Sequence, residues 1–319
     1  MKNNFTSQAF LIFVLLISLQ SFASIKYQVT FQDDDQKLTA QKALILESLD
    51  VAVQDWARFV SGKGILRIHI KVTETAVRMQ CSGTGIFLKT ISGQNIYDIS
   101  GTYKMRTGLA VDAHKPDILI LINPNFIEKT VFMDAQPRTQ NIVIPAGKVN
   151  LVSLFKHELG HGFGIQGLLD IKTGRPISAG TISVFDSFIK SSGAQFKFDG
   201  AHARKAFAGQ PIPLTFCEVA QRENFSKNGK NFTAYWDPSE NFYHLGDCNG
   251  MHDVAESIRN SVSAGTWSYE VSDAAAGLRF SVTPLEAAIL LDLGIKPYSA
   301  YADFKEKIEE LIKKINTQK

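Results

Sequence analysis

The sequence predicts an α+β fold: a twisted mixed sheet, one long amphipathic helix and a second helix carrying chemistry, followed by a loop-rich C-terminal part. Three observations predict it. Alternation of apolar and polar residues marks strands at Ile25–Phe31 and at Ile65–Thr73, the latter with Leu66, Ile68, Ile70 and Val72 on one face. Between them Leu44, Leu49, Val53, Trp56 and Val60 recur at helical spacing from Thr39 to Val60, and Gly62-Lys63-Gly64 stops that helix. Further on, Leu151, Leu154 and Phe155 form an apolar helical stripe leading into His157-Glu158-Leu159-Gly160-His161-Gly162-Phe163-Gly164.

The chain opens with Met1-Lys2-Asn3-Asn4, an apolar run from Ala9 to Leu19, and Ser21-Phe22-Ala23 before Ser24. A basic start, a short apolar region and a small-x-small site predict a signal peptide over residues 1–23, and hence a secreted or periplasmic protein. The apolar run is too short for a comfortable span and no later stretch reaches its length, so no stable membrane span is expected after signal removal. About 300 residues then remain, enough for one large domain or two closely packed subdomains. An apolar fraction of 45% and a charged fraction of 20% argue for a folded chain. A net charge of +3, with no basic block outside the C-terminal tail, argues against nucleic acid as a partner. Of Cys81, Cys217 and Cys248, the last two could close a loop in the second half and leave Cys81 free, although three thiols permit other pairings.

In chain order, Asp33-Asp34-Asp35 reads as a polar turn, and His69 points away from the apolar face of its strand. Residues 80–116 are rich in glycine and polar residues and read as loops or weak strands. Asp117–Ile122 is a continuous apolar strand. Asn150 is placed to cap the His-Glu helix, and Gly162 and Gly164 to end it. After Gly167 the chain is turn-rich to about residue 182, and Ala201–Phe207 reads as a short surface helix. Thr283-Pro284-Leu285-Glu286 is a capping box with proline at the first helical position, opening a helix that ends at Asp292-Leu293-Gly294. Phe304, Ile308, Leu311 and Ile315 predict a final amphipathic helix.

Two histidines four apart on a helix project from one face, so both imidazoles can reach a single zinc ion. Glu158 then faces a zinc-bound water as a general base. The competing reading, a core helix with hydrogen-bonded histidines, leaves the placement of Glu158 and the glycines unexplained.

His157-Glu158-x-x-His161-x-x-Gly164 resembles the active-site helix of the metzincin clan of zinc metallopeptidases. That resemblance implies a zincin-like fold, Zn2+ as cofactor, a protein or peptide substrate and a cleft-bordering strand that binds substrate along the sheet edge. In the clan a third histidine or aspartate follows three residues after the glycine; here Gly167 stands there. Candidates for the third ligand are Asp170, Asp186, His202, His244 and His252. His244, in Asn241-Phe242-Tyr243-His244, is favoured because the chain is similar to a group of secreted bacterial proteins with a His-Glu-Leu-Gly-His-Gly helix and a later histidine segment. Asp186 reads as structural or as orienting a ligand imidazole and Tyr243 as a packing residue or oxyanion donor; where the clan carries a methionine beneath the metal, the only methionine downstream here is Met251, whose Gly250-Met251-His252 setting departs from the clan's apolar turn.

The expected organisation is a signal peptide (1–23), a zincin-like N-terminal subdomain (24–167), a C-terminal subdomain supplying the third ligand (168–297) and a helical tail (298–319). The expected function is a secreted zinc endopeptidase with Glu158 as catalytic base and His157, His161 and His244 as metal ligands. The alternatives are a non-catalytic secreted binding or adhesion protein with a structural zinc, and a zinc hydrolase of cell-wall or sugar-linked amides.

Overall fold

The computed structural model describes residues 25–76, 78–139, 143–145, 148–170, 173–178, 180–192, 195–206, 209–214, 224–227, 230–233, 282 and 284–298. The expected signal peptide, the Cys217–Cys248 pair and the helix of the tail lie outside them. No helix among the described residues is long and apolar enough to cross a membrane.

The first half runs β1 (Lys26–Gln32), α1 (Lys42–Ala57), β2 (Val60–Ser61), β3 (Ile65–Val72), β4 (Met79–Ser82), β5 (Gly85–Ile91), β6 (Gln94–Ile99), α2 (Ser100–Thr107), β7 (Ile118–Ile122), α3 (Pro124–Thr130), β8 (Val131–Phe132), β9 (Val149–Asn150) and α4 (Leu151–Gly162). Strands β1, β3 and β7 pair in parallel, in that order across the sheet, and β4 closes the far edge antiparallel to β7. Leu66, Ile68, Ile70 and Val72 are buried under the helices as the alternation predicts, and His69 lies on the opposite face, bonded to Thr30 and Gln32.

Helix α1 buries Ile45, Leu49, Ala52, Val53 and Trp56, so the core stripe starts from Ile45 rather than from Leu44. Helix α4 lies against α1 on one side and against β4 and β7 on another. It is buried all round: from Leu151 to Gly162 only His161 is partly exposed. The expected one-sided stripe is therefore too narrow a description of a helix enclosed by the rest of the fold.

Residues 80–116 depart most from expectation. They form β4, a β5–β6 hairpin and a helix, α2. Helix α2 buries Ser100, Gly101, Thr102 and Met105. Its inner face is made of small residues with one methionine, so no apolar periodicity announces it. The small residues let it approach α4 closely. A methyl on Gly101 would overlap the carbonyl oxygen of Gly162, and one on Gly164 would stand 2.5 Å from Thr102 Oγ1.

The rest of the described chain comprises β10 (Thr181–Ser183), β11 (Ile189–Ser192), β12 (Gln195–Phe198), α5 (Ala201–Ala206), β13 (Ile212–Leu214), β14 (Asn224–Lys227), β15 (Lys230–Thr233), α6 (Pro284–Asp292) and β16 (Lys296–Pro297). Strand β10 joins β6 and β16 joins β2, so strands from either side of residue 167 share sheets. Asp292 at the end of α6 accepts the amides of His202 and Ala203, each at 2.9 Å, and thereby holds the start of α5. Gly200 makes room for it, since any side chain there would occupy the carboxylate's place. His202 itself is exposed. The glycine of Asp292-Leu293-Gly294 ends α6 with φ +85°.

Candidate metal centre

The site is built on α4. Asn150 caps it, its side-chain oxygen accepting the Ser153 amide at 3.1 Å. At the other end the amides of Gly164 and Ile165 bond back to the carbonyls of His161 and Gly160 at 2.9 and 3.0 Å. This turn requires the left-handed backbone of Gly164, φ +105°. It also returns the Ile165 carbonyl to His161, whose Nδ1 lies 2.8 Å away.

That contact sets the chemistry of His161. A carbonyl only accepts, so Nδ1 carries the proton and Nε2 presents a lone pair. The Nε2 atoms of His157 and His161 stand 3.1 Å apart, with the rings at 84°. Two nitrogens bound to one tetrahedral zinc at about 2.0–2.1 Å would lie roughly 3.3 Å apart. The two ring nitrogens thus lie within hydrogen-bond distance of each other, at a separation close to that of two ligands to one ion. His157 and Glu158 are both buried.

Neighbouring elements hold the helix in register. Trp56 Nε1 donates to the carbonyl of Lys156 at 3.0 Å, and the indole packs edge-on against Phe163. The buried ammonium of Lys156 pairs with Asp55. One turn of α1 therefore grips the residue immediately before His157. On the opposite side Cys81 of β4 lies against Gly162. Burial first, and the nearby Glu158 carboxylate second, push the Cys81 thiol well above its usual pKa, while the Gly162 N–H works the other way. Cys81 is a free cysteine.

Asp186 lies behind this turn. One of its oxygens accepts the Leu168 amide at 2.7 Å and the Ser183 amide and hydroxyl at 2.8 and 2.9 Å. Burial raises its pKa to about 6, against the opposing pull of the Ser183 and Leu168 amides. Its carboxylate thus ties the segment after α4 to β10, and the bond orienting His161 comes from the Ile165 carbonyl instead. Asp170 caps a local turn, accepting the Thr173 amide and hydroxyl at 2.8 and 2.9 Å. His244, Tyr243, Met251 and His252 lie outside the described residues. Among the described residues no group of three or more His, Cys, Asp or Glu side chains is arranged to hold a metal ion.

Sequence reasoning found the two histidines and Glu158 but missed Ile165, Trp56 and Gly101, which orient or admit them. The run of glycines at 160, 162 and 164 was a signal, since each removes a side chain where another element comes close. No family model matches the chain, and no curated protein or solved structure does.

Proposed function

We propose that this chain is a secreted, metzincin-like zinc endopeptidase. The observation that carries the reading is the pair of imidazole nitrogens 3.1 Å apart, with His161 locked in the metal-ready tautomer and Glu158 one residue beyond His157. His157 and His161 would hold zinc, with His244 as the proposed third ligand. Zinc bound there would lower the pKa of a coordinated water to about 7 and polarise a scissile carbonyl. Glu158 takes the proton of the attacking water and returns it to the leaving amine. Strand β4, antiparallel to β7 and last in the order of its sheet among the described residues, packs beside α4 and would align an extended peptide by strand addition.

A second reading, a structural zinc staple in a binding or adhesion protein, is favoured by the burial of Glu158. Zinc content and casein cleavage, compared between the wild type and Glu158→Ala, decide between them. The peptidase reading expects one zinc in both proteins and cleavage only by the wild type. Stoichiometric zinc without cleavage by either would favour the staple, or a substrate other than protein. Absence of zinc from the wild type would overturn both.

A further inference from the structure

Of the seven large apolar side chains exposed among the described residues, three stand at the start of β3 and on the loop fastened beside it: Ile65, Leu109 and Val111, at 53%, 61% and 37% exposure. Isolated exposed apolar residues are ordinary, but a rigidly built cluster is not. Ile65 opens β3 beside Lys26, its partner at the start of β1. The loop after α2 is fastened around it. The backbone amide of Lys63 donates to the Met105 carbonyl at 2.9 Å, and Gly108 packs against Lys63 and Gly64. On the far side Arg67 donates to the carbonyls of Ala113 and Asp112 at 2.6 and 2.8 Å. The loop carrying Leu109 and Val111 is therefore fastened to the residues on both sides of Ile65 in the chain.

The surroundings are basic. Lys26 and Lys63 are exposed, Lys104 is half-buried, and His114 and Lys115 stand on the loop. The loop's acidic residues are Asp112 and Asp117; Asp112 accepts the His114 amide and lies 3.8 Å from Lys115. The Asp117 carboxylate is taken by Arg67. An apolar centre with a cationic rim is the complement of an anionic bilayer, whose headgroups attract lysines and whose acyl boundary accepts apolar tips. Lys26 opens β1 at this end.

We propose that this end of the protein docks on an anionic lipid surface, with Ile65, Leu109 and Val111 entering the acyl boundary and Lys26, Lys63 and Lys104 meeting the headgroups. Helix α2 runs from this end, at Gly108, to the metal helix, which it meets at Gly101 and Gly162. Docking would thus hold the candidate site one short helix, about 12 Å, from the docking face.

The test is co-sedimentation of the protein, purified from a secreting host and with its first residue read by mass spectrometry, with vesicles of phosphatidylglycerol and phosphatidylcholine or of phosphatidylcholine alone. Binding to the anionic vesicles that weakens as salt rises is expected. Leu109→Glu with Val111→Glu, and separately Lys26→Glu with Lys63→Glu, are each expected to reduce it roughly tenfold or more. Circular dichroism confirms that the variants are folded. Equal binding to both vesicle types, no binding at low salt, or folded variants that bind like wild type would each overturn the proposal. So would a dimer abolished by the Leu109/Val111 pair without any vesicle binding, because the cluster would then seat a second copy.

Discussion

Gly164→Ala perturbs the turn that returns the Ile165 carbonyl to His161. Two costs add at this position. At φ +105° an L side chain is strained, by about 1–2 kcal/mol. A methyl there also stands 2.5 Å from Thr102 Oγ1 and 3.1 Å from Leu293 Cδ1, in a packed interior where overpacking costs about 1–3 kcal/mol. A destabilisation of roughly 2–5 kcal/mol follows. Gly93 isolates the first cost: its φ is +79°, and a methyl there meets nothing within 4 Å. Gly93→Ala should therefore cost only about 1–2 kcal/mol. Thr102 isolates the second, because its hydroxyl has no hydrogen-bond partner among the described residues and leaves with little direct loss. Thr102→Ala combined with Gly164→Ala should recover about 1–3 kcal/mol relative to the sum of the single variants. Urea denaturation of the wild type and the four variants, Thr102→Ala included, with chelator present, measures all three quantities. If Gly164→Ala costs no more than Gly93→Ala, or the double variant shows no recovery, the close contact between α2 and the end of α4 is refuted.

Zinc should raise the melting temperature of the wild type, since a ligand at one hundred times its Kd stabilises the native state by about 2.7 kcal/mol. His157→Ala and His161→Ala should each abolish that shift, and a shift unchanged in both would place the metal elsewhere. The pH dependence turns on Asp98 and Asp186, both raised to about 6, chiefly by burial. A carboxyl group with a raised native pKa binds its proton more tightly when folded, so its contribution to stability is present below the ordinary carboxylate range and is lost as pH rises through about 6. For Asp186 the contribution should grow by roughly 1–1.5 kcal/mol between about pH 8 and pH 5. The stability gap between the chelated wild type and Asp186→Asn should widen by that amount on acidification. A gap that narrows would reverse the sign of the argument.

By itself the sequence determined what repeats locally. The alternation of Leu66, Ile68, Ile70 and Val72 specifies a one-sided strand, Asn150 and Gly164 bound α4, and Pro284 and Gly294 bound α6, because each of these signals is carried by residues a few positions apart. The four-residue spacing of His157 and His161 places both imidazoles on one helical face for the same reason. Only the tertiary structure decided what depends on residues far apart in the chain. That β4 is the edge strand beside α4 follows from its pairing with β7, across nearly forty residues. Helix α2 was invisible because its buried face is Ser100, Gly101, Thr102 and Met105, too small and polar to show a period, and its purpose lies in how closely it meets Gly162 and Gly164. The tautomer of His161 was equally hidden, since the backbone carbonyl of an isoleucine sets it and any residue type offers the same carbonyl. Side-chain pattern is written in sequence, whereas backbone groups, close approach and strand order acquire meaning only once the chain has folded back on itself.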